Sequence, residues 1–281
     1  METTAPILFD RTRLRKRAER ARASFSQHDF LWHEAAARAE ESLSYIARDF
    51  PRILAFGAQG FTPAPGTTQM IHAAHTAGNG IQLVADEECL PFADNSADAV
   101  ISLLTLQWVN DIPGTLAQIR RILKPDGLFF AILPGGESLR ELRSIFAATE
   151  AAQSGGVSPR VAPFIDVRDA GALLQRAGFA LPVADSELLT VSYPHLFALM
   201  GDLRGAGQVN MLRAQPQHFT ARKFFQEAAE RYASQFSDAE NRITATVEFI
   251  TLTGWKPAAN QQQPAKRGSG KTSLRDALAG G

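Results

Sequence analysis

An α/β sandwich on a largely parallel sheet is predicted by three features of the sequence. Short apolar runs, "RILAFG", "IQLVAD", "ADAVISLL" and "GLFFAIL", are separated by helical patterns, the alternation expected of parallel strands joined by crossovers. Between the last two runs, "IPGTLAQIRRILKPDG" places Leu116, Ile119, Ile122 and Leu123 on one stripe, and Pro125 with Gly127 closes the helix. A late run, "RITATVEFITLTGWKP", is rich in β-branched residues and suits an antiparallel partner at a sheet edge.

The remaining elements follow in chain order. Residues 11–48 read as helix, with Phe30, Leu31, Ala35, Leu43 and Ile46 near helical spacing and Pro51 halting it. "TTQMIHAAHTA" is the one stretch between the first two apolar runs that accommodates a helix. After Gly136 the chain reads helical through Ala152, turns at "SGGVSPRVAP", and enters the helix "DVRDAGALLQRAGF", with Gly178 as its cap. "ELLTVSYP" reads as another strand. The organisation expected is a helical arm over 1–50, a sheet domain over 51–256 with a helical insertion around 137–215, and a polar, flexible tail over 257–281.

The 281 residues are 45% hydrophobic, enough for one large domain or one with a substantial insertion. Lys plus Arg and Asp plus Glu both total 29, so no global field draws nucleic acid or anionic lipid. The single cysteine, Cys89, excludes an intramolecular disulfide and a cysteine-cluster metal site, which suits a reducing, cytoplasmic setting. No apolar run approaches the ~18 residues of a membrane span. "RTRLRKRAERAR" is strongly basic, but Glu2, Asp10 and Glu19 are out of place in a targeting peptide, so it reads as a solvated helix face. "GSGKTS" near the end imitates a phosphate loop, yet Ala265 stands where a glycine is required and no strand precedes it. His72 and His75 are the nearest histidine pair, with no acid or cysteine within ten residues; they read as a polar helix face, and no metal site is expected.

Three stretches carry a family resemblance: "VADEECLPFADNSADAVISLLTLQWVND", "LAQIRRILKPDGLFFAILPGGESLRELR" and "GGVSPRVAPFIDVRDAGALLQRAGF". The chain resembles the class I S-adenosylmethionine (SAM) methyltransferase superfamily, in its type-11-like subset. More narrowly it is similar to the branch holding the mitochondrial complex I assembly factor that acts as an arginine hydroxylase, with its bacterial relatives. The resemblance implies a Rossmann-like sheet with helices on both faces and SAM lying across the carboxyl ends of the first strands. It also implies methyl transfer or side-chain modification, and a protein partner such as a respiratory complex I subunit.

By that resemblance the cofactor-binding positions are Gly57, Gly60, Asp86, Glu87, Leu104, Gln107 and Trp108. Gly57 and Gly60 follow the first strand, where backbone must approach the cofactor closely. Asp86 matches an acid facing the adenine amino group, with Glu87 beside it, and "LTLQWVND" matches the loop that covers the cofactor. Gln107 stands where relatives often carry histidine, and glutamine is no base near neutral pH. Trp108 weighs more as packing than as chemistry. No catalytic residue is assigned.

Two features point to weakened or lost SAM binding. Ala55 occupies the position of an acid, and from Phe50 through Ala85 there is no Asp or Glu to hold the ribose hydroxyls. A charged hydrogen bond contributes about 1.5 to 3 kcal/mol, so the missing clamp corresponds to roughly one to three powers of ten in affinity. The family connection from the first to the third strand needs about 40 residues, whereas residues 58–80 supply 23. A βα unit is therefore expected to be shortened or deleted. Arg160, Arg168 and Arg204 lie in the stretches that cap the domain and are candidates to meet an anionic group or a partner's acids.

Overall fold

The computed structural model describes residues 7–78, 80–216, 219–259, 261, 268, 269 and 273. Most of the tail expected over 257–281, with half of "GSGKTS", lies outside the described residues.

The apolar runs become strands of one seven-stranded sheet: β1 Arg52–Phe56, β2 Gln69–Ala74, β3 Leu83–Val84, β4 Ala97–Leu103, β5 Leu123–Pro134, β6 Ala180–Tyr193 and β7 Ile243–Trp255. Their order is β3-β2-β1-β4-β5-β7-β6. Every pairing from β3 across to β5 is parallel, while β7 runs antiparallel to both β5 and β6. The β-branched run is thus the reversed strand, as its composition predicts, but β6 lies outside it and takes the edge.

Alternation along each strand divides the core. Ile53, Ala55, Ala99, Ile101 and Phe130 face helix α2 (Phe30–Ser44), where Ala35, Ala36 and Ala39 let the helix backbone lie close to the sheet. Leu54, Phe56, Val100, Phe129 and Ala131 face the opposite way, toward helices α3 (Ile112–Ile122) and α5 (Val167–Arg176). Helices α4 (Arg140–Ser154), α6 (Leu196–Gly205) and α7 (Arg222–Phe236) build a third cluster around Phe146, Leu199, Phe224 and the fully buried Tyr232. The stretch 137–215 therefore holds α4, α5, β6 and α6, and its strand β6 joins the main sheet.

Two expectations need correction. Residues 11–48 are two helices, α1 (Arg11–Ala21) and α2, because Ser24 turns its hydroxyl onto the Ala21 carbonyl (3.3 Å), a local bond that competes with the helical ladder. The turn between them sets Phe25 against Trp32, ring centres 4.9 Å apart. The second correction concerns "TTQMIHAAHTA": Gln69–Ala74 is strand β2, paired in parallel with β1 from Arg52↔Gln69 to Phe56↔Ala73. Among the described residues no helix lies between β1 and β3. The twelve residues 57–68 cross from one parallel strand to the next as irregular backbone, with Pro63 and Pro65 removing donors a helix would need.

Candidate functional site

Parallel strands deliver their carboxyl ends to one edge of the sheet, and the strand order reverses between β1 and β4. Gly57 follows β1, His75 follows β2, Asp86 and Glu87 follow β3, and Leu104 through Trp108 follow β4. A cavity of about 360 Å³ opens there, with Gly57, His75, Glu87, Leu104 and Trp108 in its wall.

Gly57 has φ +62° and Gly60 φ +77°, so both take the left-handed backbone that favours glycine. A Cβ at Gly57 would overlap the Leu103 carbonyl and the Thr105 methyl, and one at Gly60 would meet the His33 ring. Packing alone accounts for both glycines. Leu104, also left-handed at φ +55°, is held by its amide on the Ile132 carbonyl (2.8 Å). Gln107 donates from Nε2 to the Leu104 carbonyl (2.7 Å) and to Gln208 Oε1 (3.2 Å). The Trp108 indole N–H donates to the same Gln208 oxygen (2.8 Å), and its ring packs edge-on against Phe9 at 5.4 Å. Trp108 and Gln208 also border a second cavity of about 140 Å³ lined by Phe146 and Arg204, so this pair forms the wall between the two spaces.

The acids at the end of β3 are engaged by the chain itself. Arg11, at the first turn of α1, contacts Asp86 Oδ1 closely, approaches Glu87 Oε2 (3.4 Å), and donates to the Trp108 carbonyl (3.0 Å). Arg15 reaches Asp86 Oδ2 at 3.0 Å. His75 Nε2 lies 2.9 Å from Glu87 Oε2, and its Nδ1 is 3.3 Å from Arg11 Nη2. Burial alone would raise the Asp86 carboxyl, yet the Glu88 amide and the Arg11 guanidinium hold it below the usual carboxylate range. Glu87 is 1% exposed, and burial again opposes its charge, but His75 and Arg11 keep it ionised. Its Oε1 is buried, with no hydrogen-bond partner among the described residues.

Sequence-predicted positions are therefore brought together: Gly57, Glu87, Leu104 and Trp108 share the cavity, with Gln107 packed behind the loop and Gly60 farther along it. By sequence Arg11 belongs to a solvated face, whereas its side chain is only 14% exposed, because the cluster of acids opposite draws it inward. His75, on a polar helix face by sequence, instead follows strand β2 directly. Gln208 was missed, since nothing in the sequence links it to a loop a hundred residues earlier. Arg160 is committed to Glu150 (2.8 Å) and Thr220 (2.9 Å) and lies over the Phe224 ring, whereas Arg204 faces the second cavity. No described helix is long and apolar enough to cross a membrane.

A seven-stranded, mostly parallel sheet with helices on both faces and a cleft at the carboxyl ends is the class I methyltransferase fold. The profile of a family described as "Methyltransferase domain" matches residues 62–131. "Arginine-hydroxylase NDUFAF5, mitochondrial" of Rattus norvegicus is 36% identical over 286 residues, covering 96% of this chain and 83% of that protein. "Malonyl-[acyl-carrier protein] O-methyltransferase" of Xylella fastidiosa is 30% identical over 272 residues, covering 90% of each. A solved Bacillus halodurans protein, described as a candidate methyltransferase, aligns with TM-score 0.53 at 15% identity, over 80% of this chain and 100% of that one, a likeness of fold alone. The chain belongs to the class I SAM-dependent methyltransferase superfamily, in the branch that includes the arginine hydroxylase NDUFAF5.

Proposed function

We propose that the chain is a methyltransferase-fold protein that acts on or binds a protein partner, with a SAM site weakened relative to the working members of its superfamily. The observation that carries this reading is the engagement of the side chains at the β2 and β3 ends by the chain's own charges. His75 stands where a ribose-binding acid is expected, and it is paired with Glu87; Asp86 is held by Arg11 and Arg15. SAM that reaches Asp86 must compete with Arg11, and it finds no carboxylate at the end of β2 for its ribose hydroxyls. When bound, SAM would supply a methyl group, and Gly57, Glu87, Leu104 and Trp108, which share the cavity wall, would line it.

The kinship with an arginine hydroxylase directs the substrate side of the proposal toward a protein side chain, and the family resemblance toward a respiratory complex I subunit. Isothermal titration with SAM and S-adenosylhomocysteine tests the cofactor half: dissociation constants near millimolar are expected, and micromolar values would overturn it. A pull-down against complex I subunits tests the partner half; enrichment of one subunit is expected, and the absence of any enrichment counts against it.

The second reading, a binding and assembly protein without chemistry, rests on the same engaged acids. Asp86→Ala separates the two, since an enzyme using the cofactor loses activity and a scaffold keeps its partner.

A further inference from the structure

We propose that His75, Asp86 and Glu87 form a binding site for a divalent first-row transition-metal ion, and that the Arg11 guanidinium holds the site's cation position when the metal is absent. The proposal deepens the reading of the weakened SAM site, because the same side chains that fail to suit ribose make a metal donor set.

One imidazole nitrogen and two carboxylate oxygens, from the ends of the neighbouring strands β2 and β3, lie within 4.8 Å of one another. One nitrogen of Arg11, Nη2, touches all three: it contacts Asp86 Oδ1, and stands 3.3 Å from His75 Nδ1 and 3.4 Å from Glu87 Oε2. The cluster is thus assembled around a positive centre. Mixed nitrogen and carboxylate donors suit Mn²⁺, Fe²⁺ or Zn²⁺ better than the all-oxygen shells of Ca²⁺ or Mg²⁺.

A second observation is independent of the cluster's composition. Glu87 is 1% exposed, and among the described residues its Oε1 meets no hydrogen-bond donor; Arg11 Nε is likewise buried without a hydrogen bond, with Glu88 Oε1 at 4.0 Å. A permanent ion pair would be expected to satisfy those atoms. Leaving one free on each side marks a pairing that can be exchanged for another cation. His75 and Glu87 both lie in the wall of the 360 Å³ cavity, which provides the route of entry. The neighbouring Glu88 Oε1 accepts from the Asn110 amide at 2.6 Å and stands 4.0 Å from Arg11 Nε, so it balances the guanidinium without belonging to the donor set.

Mn²⁺ titration followed by electron paramagnetic resonance, on the full chain without SAM, tests the site. The wild type is expected to bind one ion per chain, and Arg11→Gln to bind it more tightly, by about tenfold, since the competing cation is gone. Adding His75→Ala or Asp86→Asn to Arg11→Gln is expected to weaken binding by about ten- to a hundredfold. Failure of Arg11→Gln to bind Mn²⁺, or binding that survives both added substitutions, would overturn the proposal. Circular dichroism of each variant establishes folding; Asp86, at 21% the most exposed of the three ligands, is the substitution least able to disturb it. Because SAM is absent, the outcome is read separately from the cofactor titration.

Discussion

At the scale of single residues, Gly57 illustrates how a motif position is retained for reasons of packing. Its left-handed backbone and the Leu103 carbonyl beside it leave no room for a side chain. Gly57→Ala is expected to destabilise the fold by about 2 to 4 kcal/mol in urea unfolding, combining an unfavourable backbone conformation with steric overlap. Glu150 carries a different prediction. Burial would raise its carboxyl, but Arg160 and Ser158 bring it down to about 2, below its ordinary value of 4.5. A depressed folded pKa contributes stability that is present above the unfolded value and lost as pH falls through the folded one. Glu150→Gln is therefore expected to be less stable than the wild type at pH 7, with the difference shrinking between about pH 4.5 and pH 2. Denaturant midpoints across that window check it.

At the scale of elements, α1 matters because its first residue, Arg11, reaches the site. The helix is capped by Asp10, whose Oδ1 accepts from the Arg13 amide (2.9 Å), and the segment before it is tied by the Asp10 amide to the Met211 carbonyl. Asp10→Ala is expected to cost about 1 kcal/mol of stability by thermal or urea unfolding. Elements such as β4, β5 and α3 were legible in the sequence because a buried parallel strand is nearly continuous apolar chain and an amphipathic crossover is not. Strand β2 was not, since Gln69–Ala74 mixes polar and apolar residues, and Met70, Ala73 and Ala74 also fall at helical spacing. Its identity is decided by pairing with β1, a non-local interaction. The break between α1 and α2 was hidden for the opposite reason: it depends on one short-range hydroxyl bond at Ser24.

At the scale of the whole molecule, the sheet topology decides which distant residues meet, and that is why only half of the site was readable. Asp86, Glu87 and Trp108 sit in motifs, but their partners Arg11, His75 and Gln208 become neighbours only once β2 lies between β1 and β3 and the arm folds over the strand ends. The same topology makes overall stability a gauge of what the cleft holds. A ligand that binds only the folded state stabilises it by RT ln(1 + [L]/Kd). At 1 mM SAM, a millimolar dissociation constant corresponds to about 0.4 kcal/mol, and a micromolar one to about 4 kcal/mol. For a chain of this size each kcal/mol moves the melting temperature by about 2 to 4 °C. The weakened site therefore predicts a rise of about 2 °C or less in a thermal-shift measurement. A rise of about 8 °C or more would mean that SAM displaces Arg11 readily, and that the acids at the end of β3 are available to a cofactor after all.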